Sequence, residues 1–170
     1  MRGRLVARAD LDSCEIEAMY RLLDRHFVGV DRAGFAEDLA EKSWAILLEG
    51  DGLVGFSTFR LDRERVAGRD ATVVYSGDTI VAPEAWGSSV LPRSWIRSVR
   101  SLHDASGGGP IWWLLLTSGF RTYRFLPVFC RAFHSGPASG GGELAVAAEL
   151  LVRRRFGDRY DAATGIVRLL

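Results

Sequence analysis

VVYSGDTIVAPEAWGSSVL, Val73 to Leu91, reads as a buried strand that leaves through a proline turn and enters a helix. Val73, Val74, Ile80 and Val81 supply the apolar strand, and Gly77 interrupts it where a side chain would ordinarily pack, the mark of a bulge or of a close backbone approach. Pro83 and Gly87 bound the turn. Ser88 or Ser89 stands where a helix cap is expected, and Pro92 is tolerated because it falls in the first helical turn. The order strand, loop, helix returns in Ile111 to Phe133, IWWLLLTSGFRTYRFLPVFCRAF. Two such units build an open α/β sheet with a ligand crevice beyond its strand ends.

Working outward, Leu91, Trp95, Ile96, Val99 and Leu102 form one stripe of a helix reaching about Asp104, with Arg93, Arg97 and Arg100 on its outer side. The start of that helix offers free N–H groups and the positive end of its dipole to an anion. Gly107 to Pro110 ends it. Ile111 to Leu116 is apolar at every position, which predicts a central strand covered on both faces. A helix is expected from about Phe120 to Phe133, with Pro127 inside it.

Upstream, Leu5 to Ala7 fits an edge strand, and Asp10 or Asp12 can cap an amphipathic helix burying Ile16, Met19, Tyr20, Leu23 and Phe27. Asp31 starts a second helix, expected to run through Ser43 with Phe35 and Leu39 inside. Trp44 to Glu49 and Leu53 to Arg60 flank Gly50-Asp51-Gly52 as a hairpin. The charged run Asp62 to Asp70 reads as an exposed loop. Downstream, residues 135–142 (SGPASGGG) read as a flexible linker, Glu143 to Phe156 as a helix, and Ile166 to Leu170 as a last strand. The expected organisation is a core over 1–134, the linker over 135–142, and a helix and strand over 143–170 that rejoin the same domain.

A chain of 170 residues, 48% of them apolar, can bury a continuous core. Its formal charge of +1 provides no global field for DNA, and Lys42 is the sole lysine among its basic residues. Cys14 and Cys130 are isolated thiols without metal or disulfide spacing, so no metal is expected and a cytoplasmic setting is. The apolar runs are far shorter than the ~20 residues that span a bilayer, and arginines break up the N-terminal region where a signal peptide would carry an apolar segment.

Val81, Pro83 and Gly87 fall into register with the V-x-P-x-x-R-G-x-G loop of the GNAT-type N-acetyltransferases, which this segment resembles; Trp86 stands at the basic position and Ser89 at the second glycine. Gly77-Asp78-Thr79, Trp86-Gly87 and Ser118-Gly119-Phe120-Arg121-Thr122-Tyr123 look like a less characterised branch of that superfamily, which carries G-D-T, W-G and a serine and glycine ahead of [FY]-[KR]-T-Y. The likeness covers about residues 44 to 134. It implies a mixed, largely antiparallel twisted α/β sheet with helices on both faces and central parallel strands that splay apart. Backbone groups freed by the splay would meet the pantetheine arm of acetyl-CoA or another acyl-CoA.

The cofactor-binding residues so implied are Ile80, Val81, Trp86, Gly87, Ser88, Ser89, Val90, Ser118 and Arg121. Phe27 and Tyr75, with Asp78, are expected at the acceptor pocket, although Phe27, like Phe35 and Trp44, also reads as ordinary core. Tyr123 takes the place of the family's tyrosine acid, which protonates the leaving thiolate; its other reading is a packed ring with a bonded hydroxyl. Asp78, a carboxylate in an apolar strand, is the candidate base for the amine, or else it bonds Thr79 or Ser76 to organise the bulge. Trp86 either stacks on a ligand or plugs the loop.

The function implied is acyl transfer from an acyl-CoA to the amine of a small molecule, by direct attack in a ternary complex. One alternative keeps the chemistry with a carrier-protein or aminoacyl-tRNA donor, the outer arginines meeting its phosphates. Another is a binding module without catalysis. A homodimer is compatible with each, and a membrane partner with none.

Overall fold

The computed structural model describes residues 1–117, 123–136 and 141–168. Five strands form the main sheet in the order β1-β2-β3-β4-β5: β1 (Arg2–Ala7), β2 (Trp44–Gly50), β3 (Gly52–Val66), β4 (Arg69–Val81) and β5 (Ile111–Leu114). All neighbours are antiparallel except β4 and β5, which run parallel and are joined by the crossover helix α3 (Val90–Ala105).

One face of the sheet carries α1 (Ser13–His26) and α2 (Arg32–Ala40), which bury Met19, Leu22, Leu23, Phe35 and Leu39 against Ala45, Leu47, Phe56 and Ile80. Asp12 caps α1, accepting from the Glu15 amide while Glu15 accepts from the Asp12 amide, so two orphan N–H groups are satisfied reciprocally. The opposite face carries α3, whose Leu91, Trp95 and Val99 meet Ile46, Leu48, Phe59 and Val74. A third cluster lies on the α1 side near β4 and β5, where Ala147 and Leu151 of a C-terminal helix pack on Val66, Ala71, Val73 and Tyr75.

The alternation along β4 changes phase halfway. Val74 faces α3 and Tyr75 the opposite side, yet further on Ile80 faces α1 and α2 while Val81 faces α3. The register explains it: Ser57 pairs with Thr79 and Phe59 with Ser76, so Gly77 and Asp78 together oppose Thr58. That is a β-bulge, and one extra residue moves every later side chain to the other face.

Several expectations are corrected. The charged run after Arg60 is not a loop: β3 continues to Val66 and turns at Ala67 and Gly68, whose φ values of 49° and 78° make a tight hairpin with β4. Its charges are engaged, Asp62 with Arg60 along the same strand, and Glu64 with Tyr75 across the ladder and with Arg154 of the C-terminal helix. Among the described strands the parallel pair lies at one end of the sheet, not its centre, and Ile111 is 47% exposed. The last strand does not extend this sheet either; β6 (Tyr160–Asp161) and β7 (Ile166–Val167) pair with each other. α2 stops at Ala40. Of the helix expected over 120–133, residues 120–122 lie outside the described residues, Tyr123 is helical, and the described remainder ends with the short α4 (Phe125–Phe129), while the C-terminal helix α5 (Glu143–Phe156) spans its expected length.

Candidate functional site

Among the described residues β4 and β5 are paired from Thr72 and Ile111 to Tyr75 and Leu114, and β4 runs on to Val81 without a described partner on this side. The Ala82 amide bonds the Val54 carbonyl at 2.8 Å, so Gly55 and Val81 are a non-hydrogen-bonded pair. By the alternation of the ladder, the backbone N–H and C=O of Thr79 and Val81 point away from β3, into the gap. Strands thus part where the resemblance implies.

Side chains narrow that gap. On the α3 face it is a cleft of ≈ 40 Å³ lined by Ser57, Ser76 and Thr79 from the sheet, by residues including Trp95 from α3, and by Trp113 and Leu115 from β5 and just beyond it. Trp95 and Trp113 stack with ring centroids 4.3 Å apart, and Trp113 Nε1 donates to Ser76 Oγ. Such a volume is of the order of one or two waters, ~30 Å³ each. Neither Asp78 nor Tyr123 lines it.

The turn after β4 delivers α3 as the sequence predicts. Gly87 has φ 86°, a conformation that strains a side chain, with open space about its α-carbon. Ser88, not Ser89, supplies the capping oxygen: its Oγ accepts from the Val90 amide at 3.1 Å, while Ser89 holds the N-cap position without a side-chain bond. Pro92 brings no N–H, so the helix start offers an anion fewer donors than an ordinary one. Trp86 is 56% exposed, and its indole Nε1 donates to the Val81 carbonyl at 2.8 Å. The ring thereby occupies one of the backbone acceptors that the parted strands present.

Asp78 lies on the other face. Because two successive bulge residues share a side, Gly77 and Asp78 both face α2. A Cβ at Gly77 would lie 2.3 Å from Lys42 Cε and 2.3 Å from Thr58 Oγ1, which is why glycine stands there. Burial pushes the Asp78 carboxyl above its ordinary range, the Asp38 charge adds to the rise, and Lys42 opposes it. The alternative in which Asp78 is tied to its neighbours is not what forms: the Thr79 hydroxyl pairs with Ser57 Oγ at 2.7 Å, and Ser76 takes the Trp113 bond.

The remaining expected residues are scattered. Tyr75 is buried under α5 with its hydroxyl donating to Glu64 at 2.5 Å, and its proton is held well above the ordinary phenol range by burial and by that carboxylate. Phe27, at the end of α1, is 48% exposed rather than part of the buried stripe, because the helix ends at His26 and releases it. Tyr123 is 37% exposed just before α4. Ile80 is buried toward α1, and Ser118 and Arg121 lie outside the described residues. Lys42, whose stem packs at the Gly77 position, was not among the expected residues, since nothing in sequence spacing connects the two.

A wider depression of ≈ 920 Å³ lies away from this region, between α1 and the β2–β3 turn. Its arginines are already paired, Arg2 with Glu49 and Arg4 with Glu15 and Glu49. Among the described residues no group of three His, Cys, Asp or Glu could hold a metal ion, and no helix is long and apolar enough to cross a membrane.

No protein-family model matches the chain, and no curated protein matches it. Solved structures do. The aminoglycoside N-acetyltransferase AAC(6')-Iy, in complex with a CoA-S-monomethyl-acetylneamine bisubstrate analogue, is 14% identical with a TM-score of 0.59, covering 79% of this chain and 95% of that one. Ribosomal-protein-alanine N-acetyltransferase from Brucella melitensis biovar Abortus 2308 is 14% identical at a TM-score of 0.59, covering 80% and 96%. The aminoglycoside 6'-N-acetyltransferase AAC(6')-IG from Acinetobacter haemolyticus is 12% identical at 0.59, covering 84% and 98%. The fold is that of the GNAT-type acetyltransferases.

Proposed function

We propose that the chain is an acyl-CoA-dependent N-acyltransferase, in the simplest case an N-acetyltransferase, acting on the amine of a small molecule by direct attack in a ternary complex. The observation that supports it is the parting of β4 from β5 beyond Tyr75 and Leu114, on a fold shared with acetyltransferases solved with CoA and with a CoA-derived bisubstrate analogue. In this reading the backbone of Thr79 and Val81 meets the pantetheine amides, and Gly87 to Val90, with Ser118 and Arg121, hold the phosphates. The amine nitrogen attacks the thioester carbonyl, the carbon–sulfur bond breaks, Asp78 takes the proton from nitrogen, and Tyr123 gives one to the departing thiolate. The setting of such an enzyme is cytoplasmic.

A second reading is favoured by the bond from Trp86 to the Val81 carbonyl and by the missing N–H of Pro92. Both act against coenzyme A. The missing N–H weakens a phosphate site and fits a carrier-protein or aminoacyl-tRNA donor; the indole bond stands against any pantetheine arm, a carrier protein's included, and fits aminoacyl-tRNA or a binding module without turnover. A thermal-shift titration with free CoA, acetyl-CoA and longer acyl-CoAs separates the readings, since a ligand of the native state raises its apparent stability. A saturable rise supports coenzyme A. No shift, with salt-sensitive binding of aminoacyl-tRNA, selects the second reading.

A further inference from the structure

On the α3 face, where β4 leaves β5, the small side chains of Ser57, Ser76 and Thr79 come together. The bulge turns Gly77 and Asp78 to the other side and so keeps Ser76 and Thr79 on this one, while β3 sets Ser57 beside them, its Oγ 2.7 Å from Thr79 Oγ1. Their neighbours on the same face are larger: Phe59, Val74 and Val81 fill their space against α3. The cleft of ≈ 40 Å³ is the room that the small residues leave, and two indoles close it.

That closure is rigid. Phe59, Trp95 and Trp113 pack in series, with ring centroids 5.9 Å and then 4.3 Å apart. Trp95 is 8% exposed, and Trp113 is held a second time by donating its Nε1–H to Ser76 Oγ. A ring fixed by a stack and by a directional bond does not turn aside without losing both.

In the acyltransfer reading the phosphates sit at Gly87 to Val90, beyond the end of β4, and the pantetheine arm runs back past Val81 and Thr79, which brings the thioester to the bulge. An acyl chain leaving that point can turn to either face of the sheet. The α2 face carries Asp78 and is the side from which the amine approaches; the α3 face carries the cleft. We propose that the cleft takes the acyl chain and that Trp113 sets its length at a single methyl, which makes acetyl-CoA the donor. A methyl group occupies about the space of a water, ~30 Å³, and the cleft of ≈ 40 Å³ holds one with little to spare. A longer chain would have to displace an indole that is held twice. The proposal rests on the acyltransfer reading and narrows its donor from acyl-CoA at large to acetyl-CoA.

Isothermal titration of the full chain with free CoA, acetyl-CoA, butyryl-CoA and hexanoyl-CoA tests this without an acceptor. One methylene too many costs a shaped apolar pocket about tenfold or more, so butyryl-CoA and hexanoyl-CoA should each bind at least about tenfold more weakly than acetyl-CoA. Trp113→Leu withdraws the outer ring of the indole together with its N–H and should close most of that gap. Ser76→Ala releases the indole without removing it and should close part of the gap, which keeps the test intact if Trp113→Leu fails to fold. Equal Kd values for acetyl-CoA and hexanoyl-CoA in the parent overturn the proposal and leave the acyltransfer reading standing, because the chain then lies outside the cleft. A gap unchanged in Trp113→Leu or, failing that variant, in Ser76→Ala overturns the role of Trp113. If free CoA itself does not bind, the acyltransfer reading fails and the proposal falls with it.

Discussion

Removing the Trp86 indole should strengthen coenzyme A binding. Its Nε1–H bonds the Val81 carbonyl at 2.8 Å, between neutral groups on a ring that is 56% exposed. A bond of that kind is worth about 1 kcal/mol net. A pantetheine amide that uses the same carbonyl must first displace the indole, so the bond is a penalty subtracted from affinity. Lifting 1 kcal/mol lowers Kd about fivefold, since 1.4 kcal/mol is tenfold. Trp86→Phe removes the donor and keeps an aromatic ring, whereas Trp86→Ala removes both, and an exposed position of this kind costs the fold about 0.5 kcal/mol or less. Isothermal titration with free CoA should show a fivefold lower Kd in both variants. Weaker binding in Trp86→Ala with Trp86→Phe unchanged would refute the reasoning, because the ring would then be a surface on which the ligand rests. Unchanged affinity in both would mean that the ligand does not use the Val81 carbonyl.

Gly77→Ala should destabilise the chain by about 1–3 kcal/mol, the usual cost of overpacking, because the new methyl would meet Lys42 Cε and Thr58 Oγ1 at 2.3 Å; a melting temperature equal to that of the parent would show that both neighbours yield freely. Asp78→Asn should gain stability over the parent as pH rises from about 4 to 7, checked by urea midpoints at the two ends. The sign follows from the raised proton affinity of Asp78: the folded state favours its neutral form, so its contribution is full below the ordinary carboxylate range and is lost as pH climbs through the higher folded value. A flat difference would contradict that rise. Asp12→Ala should cost about 1 kcal/mol through loss of the capping box on α1, and an unchanged urea midpoint would show that Glu15 alone suffices.

The fold was legible where local chemistry decides it. Asp12 and Asp31 cap the helices they precede, Gly50 to Gly52 turns a hairpin, and Gly77 marks a bulge. Sequence misled where partners are distant. The run from Asp62 to Asp70 looked solvated because its charges were counted singly, but in the sheet Glu64 meets Tyr75 and Arg154, and Val66 is buried under α5. Ile111 to Leu116 looked central because six apolar residues were read without knowing that no described strand joins their far side. Around the candidate site, the parted strands were anticipated through a family likeness, and the desolvation of Asp78 through the oddity of an acid in an apolar strand. The contact of Lys42 with the Gly77 position was not, since it crosses from the joint between α2 and β2 to β4, and Trp86 was left with two roles until its bond to Val81 chose a position for the ring.

The phase change in β4 also fixes which lengths of this chain evolution can alter. Because Gly77 and Asp78 share a side, deleting either would close the bulge into plain ladder and leave Ile80 toward α1 and Val81 toward α3, so both packed cores would keep their residues. An added residue in the exposed turn at Ala67 and Gly68 would disturb only the tip of a hairpin. Gaps in distant relatives should therefore gather at that tip and, one residue at a time, at the bulge, however far the residues themselves have drifted.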